Sequence, residues 1–308
     1  MKKNSLAIII PYFKIDFFEK TLESLAQQTD QRFQVYIGDD ASPVPPTELI
    51  EKYQGKFNFT YKRFDDNLGS ISLTKQWERC IAMMQGEEWF MILGDDDVLG
   101  QKVVEVFNLH LKEASEISNV IRFSNQIIDE NSQPISKIWQ QPNLENALVS
   151  YFRKINGQNR SSLSEFIFRT EKHAQYKFRN FPLAWCSDDF AVIDFSENKP
   201  IFSLNEEIVY VRMSESNISG LQDNLDQKII AHQQSDMVLF KEYVGQIPTK
   251  EREDMIKRYD QKIMGASYIN LKDFLHLQYL TIRYVGFKLV FQQWKTFIYK
   301  LLFNKRTS

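Results

Sequence analysis

Leu6 to Ile10 is an unbroken apolar run, the pattern of a strand buried on both faces, and Pro11 is expected to end it. Phe17, Phe18, Thr21, Leu22 and Leu25 then recur at helical spacing. Phe33 to Ile37 reads as a second strand, closed by Gly38-Asp39-Asp40-Ala41-Ser42-Pro43, a loop by composition. A short helix from Pro46 to Tyr53 leads to a third strand, Phe57 to Phe64. Ser70 to Met84 places Ile71, Trp77, Ile81 and Met84 on one helical face. Trp89 to Leu93 is a fourth strand and runs straight into Gly94-Asp95-Asp96-Asp97. This alternation predicts an α/β fold, with a mostly parallel central sheet covered by helices on both faces.

Beyond residue 100 the pattern loosens. Asn119 to Ser124, Phe166 to Phe168 and Ile208 to Arg212 read as strands, and Leu144 to Phe152 as a helix. Asp188 and Asp189 open a further helix through Ser196, with Ser187 as its expected N-cap. From Leu221 onward the pattern is helical. Two regions are therefore expected: a catalytic-type α/β domain over 1–220 and a C-terminal helical region over 221–308.

Composition narrows the function. The 308 residues are 43% hydrophobic and 25% charged, enough for a real core, and the net charge of −2 argues against a general nucleic-acid binder. Aromatics reach 14%, and most of them are expected in the core. Two cysteines, Cys80 and Cys186, support neither a disulfide framework nor a zinc site, which fits a reducing cytoplasm. The first apolar stretch is too short for a secretory signal, and no apolar run of about 18 residues marks a spanning helix. Four histidines show no ligand spacing. Phosphate-gripping Gly-rich motifs of the kinase-like and dinucleotide-binding kinds are missing.

In open α/β sheets ligands bind beyond the carboxyl ends of the strands. Asp39 and Asp40 follow the second strand, Asp65 and Asp66 the third, and Asp95, Asp96 and Asp97 the fourth. Strand-end loops converge, so negative charge gathers in one cleft. A divalent cation there would relieve the repulsion.

Four segments, in order and spacing, carry a resemblance: Ala7-Ile8-Ile9-Ile10-Pro11-Tyr12, Gly38-Asp39-Asp40-Ala41-Ser42, Asn67-Leu68-Gly69 and Ile92-Leu93-Gly94-Asp95-Asp96-Asp97. Residues 5 to about 220 resemble the nucleotide-sugar-dependent, inverting glycosyltransferases of family 2, with the GT-A fold. The resemblance implies a UDP-sugar donor, a sugar or lipid-linked acceptor, and Mg²⁺ or Mn²⁺. It implies synthesis of a bacterial surface polysaccharide or lipid-linked oligosaccharide.

The same resemblance assigns roles. Relatives carry Asp-x-Asp where this chain has Gly94-Asp95-Asp96. Asp96 is therefore the expected metal ligand, and Asp95 faces the donor ribose or supports the metal. Asp39 matches the residue that reads uracil, with Pro11 and Tyr12 shaping that pocket. Asn67 and Gly69 border the donor, and Lys75 or Arg79 takes the place of an Arg that touches the diphosphate. Ser187-Asp188-Asp189 resembles the Glu-Asp pair of inverting relatives, which makes Asp189 the general base and Asp188 its companion. Two capping Asps on a helix N-terminus is the simpler reading of that pair. Arg212-Met213-Ser214 and Ser216-Asn217-Ile218-Ser219 resemble a stretch that closes such domains near the diphosphate. Trp185 either stacks on an acceptor sugar or packs in the core.

Leu277, Leu280, Tyr284, Phe287, Phe291, Trp294, Ile298 and Leu301 recur three and four apart, which predicts one helical stripe flanked by Arg283, Lys288 and Lys295. No acidic residue follows Asp273, whereas Lys300, Lys305 and Arg306 continue the basic run. A basic amphipathic helix of this kind can lie on an anionic membrane, pack on the catalytic domain, or meet a second subunit. Two rival functions stay open: a nucleotidyltransferase, disfavoured because Leu6 to Phe13 holds no glycine, and a non-catalytic nucleotide-sugar-binding scaffold, which the Gly at position 94 permits.

Overall fold

A computed structural model describes residues 5–214, 224–265 and 270–303. The chain forms two compact units, Met1–Val238 and Leu239–Ser308. The division thus falls after Val238, where the sequence pattern led us to expect it after residue 220.

In the first unit, β1 (Leu6–Tyr12) is buried along nearly its whole length. It runs through Pro11 rather than ending there. The neighbour on that side, β4 (Trp89–Ile92), pairs with β1 only as far as Ile9 opposite Ile92. Pro11 faces the side that β4 has already left, so its missing N–H leaves no ladder acceptor unpaired. Between these strands come α1 (Phe18–Ala26), β2 (Phe33–Asp39), α2 (Thr47–Tyr53), β3 (Phe59–Arg63) and α3 (Leu73–Ile81). Helix α3 is shorter than its apolar periodicity predicts. Ser72 caps it by accepting from the Lys75 N–H at 3.3 Å, and Ile71, expected on the inner face, is 79% exposed.

The rest of the sheet is built from β5 (Val98–Leu99), α4 (Val103–Ile117), β6 (Val120–Ile128), β7 (Leu144–Glu145), α5 (Ala147–Ile155), β8 (Phe166–Arg169), α6 (Thr170–Tyr176), α7 (Ser187–Ser196) and β9 (Ile201–Arg212). The strand order is β3-β2-β1-β4-β8-β6-β9-β5, with β7 paired to β9. Strands β3, β2, β1 and β4 are mutually parallel. β8 is inserted antiparallel, and β6 and β9 again run parallel to each other. The core under β1 and β2 is filled by Phe18, Leu22 and Leu25 of α1 and by Val103, Val104 and Phe107 of α4.

Ser187 is the first residue of α7 and not its cap. Leu183, Ala184 and Cys186 hold φ values of 57°, 54° and 70°, so the preceding residue lacks the extended backbone that an N-cap needs. The Ser187 hydroxyl is buried without a partner among the described residues. Helix α8 (Leu225–Val238) closes the unit, anchored by buried Ala231 and Ser235.

The second unit contains a π-helical turn over Leu239–Tyr243, then α9 (Thr249–Gly265), α10 (Leu271–Tyr284) and α11 (Phe287–Phe303). The single stripe expected from the sequence is divided. Gly286, at φ 124°, separates α10 from α11. Leu277 and Leu280 turn inward at 0% exposure, whereas Phe287, Phe291, Trp294 and Ile298 face outward, Phe291 at 74%. Val290, Gln293 and Phe297 form the inner face of α11. The side chains of Lys300 and Leu301, together with Lys305, Arg306 and the 216–219 stretch, lie outside the described residues.

Candidate active site

The carboxyl ends of β1, β2, β4 and β9 converge on a cleft of about 460 Å³. Pro11, Asn67, Gly69, Asp95, Asp96 and Arg212, all singled out from the sequence, line it. Asp40, Asp97 and Lys14 join them.

The acidic loop after β4 is held by its own carboxylates. Asp95 Oδ2 accepts from the backbone N–H groups of Phe13 and Lys14 at 2.7 and 2.8 Å, tying the loop to the end of β1. Asp97 is buried. It accepts from the Ser164 hydroxyl through Oδ2 and from the Arg212 N–H, at 2.8 Å, through Oδ1. The Asp96 carboxylate, between them, receives no hydrogen bond from any other described residue, although the Asp96 backbone carbonyl accepts from Arg212. Burial pushes the Asp95 carboxyl up to about 6 and that of Asp97 upward. Burial, followed by repulsion from Asp97 and Asp95, raises Asp96 well above the usual carboxylate range.

Gly94 is what allows this crowding. A Cβ there would stand 2.9 Å from both Asp96 Oδ1 and Asp97 Oδ2. The residue that departs from the family's Asp-x-Asp pattern therefore makes room for the two carboxylates that follow it.

No cluster of three or more His, Cys, Asp or Glu set to hold a metal occurs among the described residues. The uncommitted Asp96 carboxylate is nonetheless a hard oxygen ligand in a repulsive acidic site. It suits a cation that takes one or two protein carboxylates and completes its shell with phosphate oxygens and water.

The loop after β3 is fixed from beneath. Asp40 accepts from the N–H groups of Leu68 and Gly69, both at 2.8 Å, and from Arg79. A Cβ at Gly69 would lie 2.4 Å from Asp40 Oδ2, so only glycine permits this approach. Arg79 also pairs with Asp66 at 2.7 Å and lies over the Phe64 ring, so its guanidinium holds the loop. Lys75 is exposed on α3 and does not line the cleft.

Tyr12 and Asp39 stand behind the cleft wall, both at 0% exposure. The Tyr12 hydroxyl donates to the Val44 carbonyl at 2.6 Å. Asp39 Oδ1 accepts from the Ser42 N–H at 2.8 Å, and Oδ2 accepts from Tyr61 and Arg63, each at 2.6 Å. Of the carboxylate's four lone pairs, one on Oδ1 is left. Arg212 lines the cleft, with its guanidinium donating to the carbonyls of Asp96 at 2.9 Å and Asp129 at 2.6 Å.

The second acidic pair sits apart from these groups. Asp189 accepts from Lys154 of α5 at 2.6 Å, and Asp188 lies 3.8 Å from the same ammonium. Burial raises the Asp189 carboxyl to about 6 against the opposing pull of Lys154. Asp189 and Ser161 border one small void, and the next residue, Ser162, lines the cleft. Trp185 lines neither; its indole N–H donates to His232 Nε2 at 3.0 Å, and the Lys228 ammonium lies 4.8 Å from its ring centre.

Sequence reasoning missed Lys14, Lys154 and Ser164. Lys14 carried a usable signal, a lone cation just past the first strand. Lys154 lies where the chain shows no motif, and Ser164 lies inside the Ser162-Leu163-Ser164-Glu165 capping box, which signals a local turn and not a site.

No curated protein is matched by the sequence. Among solved structures, the chain is similar to S. aureus TarS 1–349 in complex with UDP, at 16% identity and a TM-score of 0.55, over 84% of this chain and 80% of that one. It is similar to the same TarS segment with UDP-GlcNAc, at 16% identity and a TM-score of 0.57, over 92% and 74%. A longer TarS structure is matched at 16% identity and a TM-score of 0.60, over 96% of this chain and 54% of that one. At this identity the likeness is one of fold. The sequence model described as Glycosyl transferase family 2 matches residues 7–196, well over half of the chain. The resemblance read from the four motifs is thereby borne out, and the chain belongs to glycosyltransferase family 2.

Proposed function

We propose that this protein is an inverting glycosyltransferase that moves a sugar from a UDP-sugar to an acceptor hydroxyl. The observation that carries the proposal is the cleft at the strand ends, where Asp96 stands uncommitted between two carboxylates that are tied down. The UDP and UDP-GlcNAc complexes of the similarly folded TarS support the choice of donor and make UDP-GlcNAc the first to try.

In this reading Asp96, with support from Asp95, holds Mg²⁺ or Mn²⁺, which would offset the charge of the departing diphosphate. Pro11, Asn67 and Gly69 border the donor. Asp39 reads the uracil N–H with its remaining lone pair once the partly exposed Arg63 side chain moves aside. Arg212 steadies the acidic loop. Asp189 takes the proton from the acceptor hydroxyl as that oxygen bonds to the anomeric carbon. The bond to the diphosphate oxygen breaks on the opposite face, and UDP leaves. Lys154 holds the Asp189 carboxylate in place, and Asp188 adds negative charge beside it. Lys75, exposed on α3 and outside the described cleft lining, would have to extend from there to meet the diphosphate.

The proposal extends to location and pathway. Phe287, Phe291, Trp294 and Ile298 form an outward apolar stripe on α11, with Lys288 and Lys295 exposed beside it. That pattern suits the interface of an anionic bilayer. No helix among the described residues is long and apolar enough to cross one. The protein then works on the inner face of the cytoplasmic membrane, on a surface-polysaccharide or lipid-linked acceptor.

The test is release of UDP from UDP-sugars with Mn²⁺, comparing wild type with Asp96→Ala. The expected result is metal-dependent turnover that the substitution abolishes while the circular-dichroism spectrum is kept. Undiminished turnover in the variant would remove Asp96 from the metal role.

A further inference from the structure

A second cavity, of about 380 Å³, adjoins the acidic cleft and shares Gly69, Ser70 and Leu73 with it. Its size falls in the range of about 300–1,000 Å³ typical of ligand pockets. The two linings differ in chemistry. The first cleft holds carboxylates and cations, whereas the second has no ionisable side chain among the described residues. Its polar groups are the hydroxyls of Ser70 and Ser72 and the amides of Asn180, Gln227 and Gln234, set beside the apolar Pro182 and Leu183.

The wall is braced. Asn180 Oδ1 accepts from the hydroxyls of Ser72 and Thr74, both at 2.8 Å, which locks the 180–183 segment to the start of α3. Leu183 and Ala184 hold left-handed backbone at φ 57° and 54°. Non-glycine residues keep such conformations where the surroundings over-determine them, commonly at binding sites. Gln227 and Gln234 are seven residues apart on α8, two turns along one face.

We propose that this cavity is the acceptor subsite and that it takes a neutral pyranose. The inference rests on the glycosyltransferase reading of the adjoining cleft. An amide offers both donor and acceptor, as a sugar hydroxyl does, and the Pro182–Leu183 surface suits the C–H face of a ring. An anionic sugar finds no cation among the described lining residues to pair with, and it meets the carboxylates of Asp40 and Asp95 to Asp97 next door.

The test is a saturation-transfer NMR titration of the full chain with methyl β-glucopyranoside, methyl β-N-acetylglucosaminide and methyl β-glucuronide, with and without UDP. Wild type is compared with the Gln227→Leu/Gln234→Leu double variant. Both positions are exposed on a helix where leucine is well tolerated, so the fold is kept. The expected result is saturable binding of a neutral glycoside, weakened about tenfold or more in the variant by loss of two hydrogen bonds. The glucuronide should bind more weakly than the neutral sugars, and UDP affinity by calorimetry should be equal in both proteins. Absence of neutral-sugar binding, binding unchanged by the double substitution, or tighter binding of the glucuronide overturns the proposal. Failure of UDP to bind in the calorimetric arm counts separately, against the reading of the cleft.

Discussion

Ser164→Ala removes one hydroxyl that serves two buried partners. Ser164 Oγ donates to Asp97 and accepts from the Gly94 N–H at 3.1 Å. Asp97 then keeps only the Arg212 N–H, and the Gly94 amide loses its side-chain acceptor. A hydrogen bond to a charged group contributes about 1.5–3 kcal/mol and one to a neutral amide about 1, so a loss of about 2–4 kcal/mol is expected. That is a fall in melting temperature of about 4–15 °C for a unit of this size. The loss should also depend on pH. Burial raises the Asp97 pKa in the folded state, and the Ser164 hydrogen bond opposes that rise. A group with a raised folded pKa gives stability below its unfolded pKa that is lost as pH rises through the folded one. Without Ser164 the folded pKa rises further, so the deficit at pH 8 should exceed that at pH 5. Urea unfolding at both pH values measures this, with Ser164→Thr as the control that keeps a hydroxyl. A deficit under about 0.5 kcal/mol, or one larger at pH 5, would refute the reasoning.

Other outcomes follow from the same geometry. Asp189→Asn should lower the turnover rate at least a hundredfold with UDP affinity intact, as expected for loss of a general base at about 10²–10⁴; wild-type kinetics would sink the assignment. In wild type the rate should fall as pH drops through about 6, where burial places the Asp189 carboxyl. Lys154→Met should move that limb upward, because the ammonium favours the charged carboxylate, and an unmoved limb would contradict the role given to Lys154. Glu165, buried and pushed up to about 7 chiefly by burial, gives stability present below its unfolded pKa and lost as pH rises through 7. The stability of wild type relative to Glu165→Gln should therefore decline between pH 5 and 8 in urea titrations, and a flat or rising difference would exclude it. Finally, Phe291→Asp should reduce sedimentation with phosphatidylglycerol vesicles by at least half, and equal recovery of wild type and variant would argue against membrane contact by α11.

The first hundred residues were legible because their signals are local. A doubly buried strand such as Leu6–Ile10 is apolar without interruption, and the acidic loops follow each strand directly. Pro11 misled because whether a proline ends a strand depends on what the neighbouring strand does, which periodicity does not carry. The region from Ser124 to Trp185 was opaque for a related reason. Its work is done by pairings distant in sequence, such as Ser164 with Asp97 and Lys154 with Asp189. Spacing located the C-terminal apolar positions, but the break at Gly286 decides which face water and which face the core. The motif resemblance named Asp39 as a base reader. What it could not show is that Tyr61 and Arg63 already occupy much of that carboxylate.

Calorimetric titration with UDP, GDP and dTDP, each with and without Mn²⁺, reads the donor site itself. UDP should bind most tightly of the three, more tightly with Mn²⁺ than without, and Asp96→Ala should remove that metal dependence. A folded protein that binds none of the three with Mn²⁺ present would contradict the donor-site assignment.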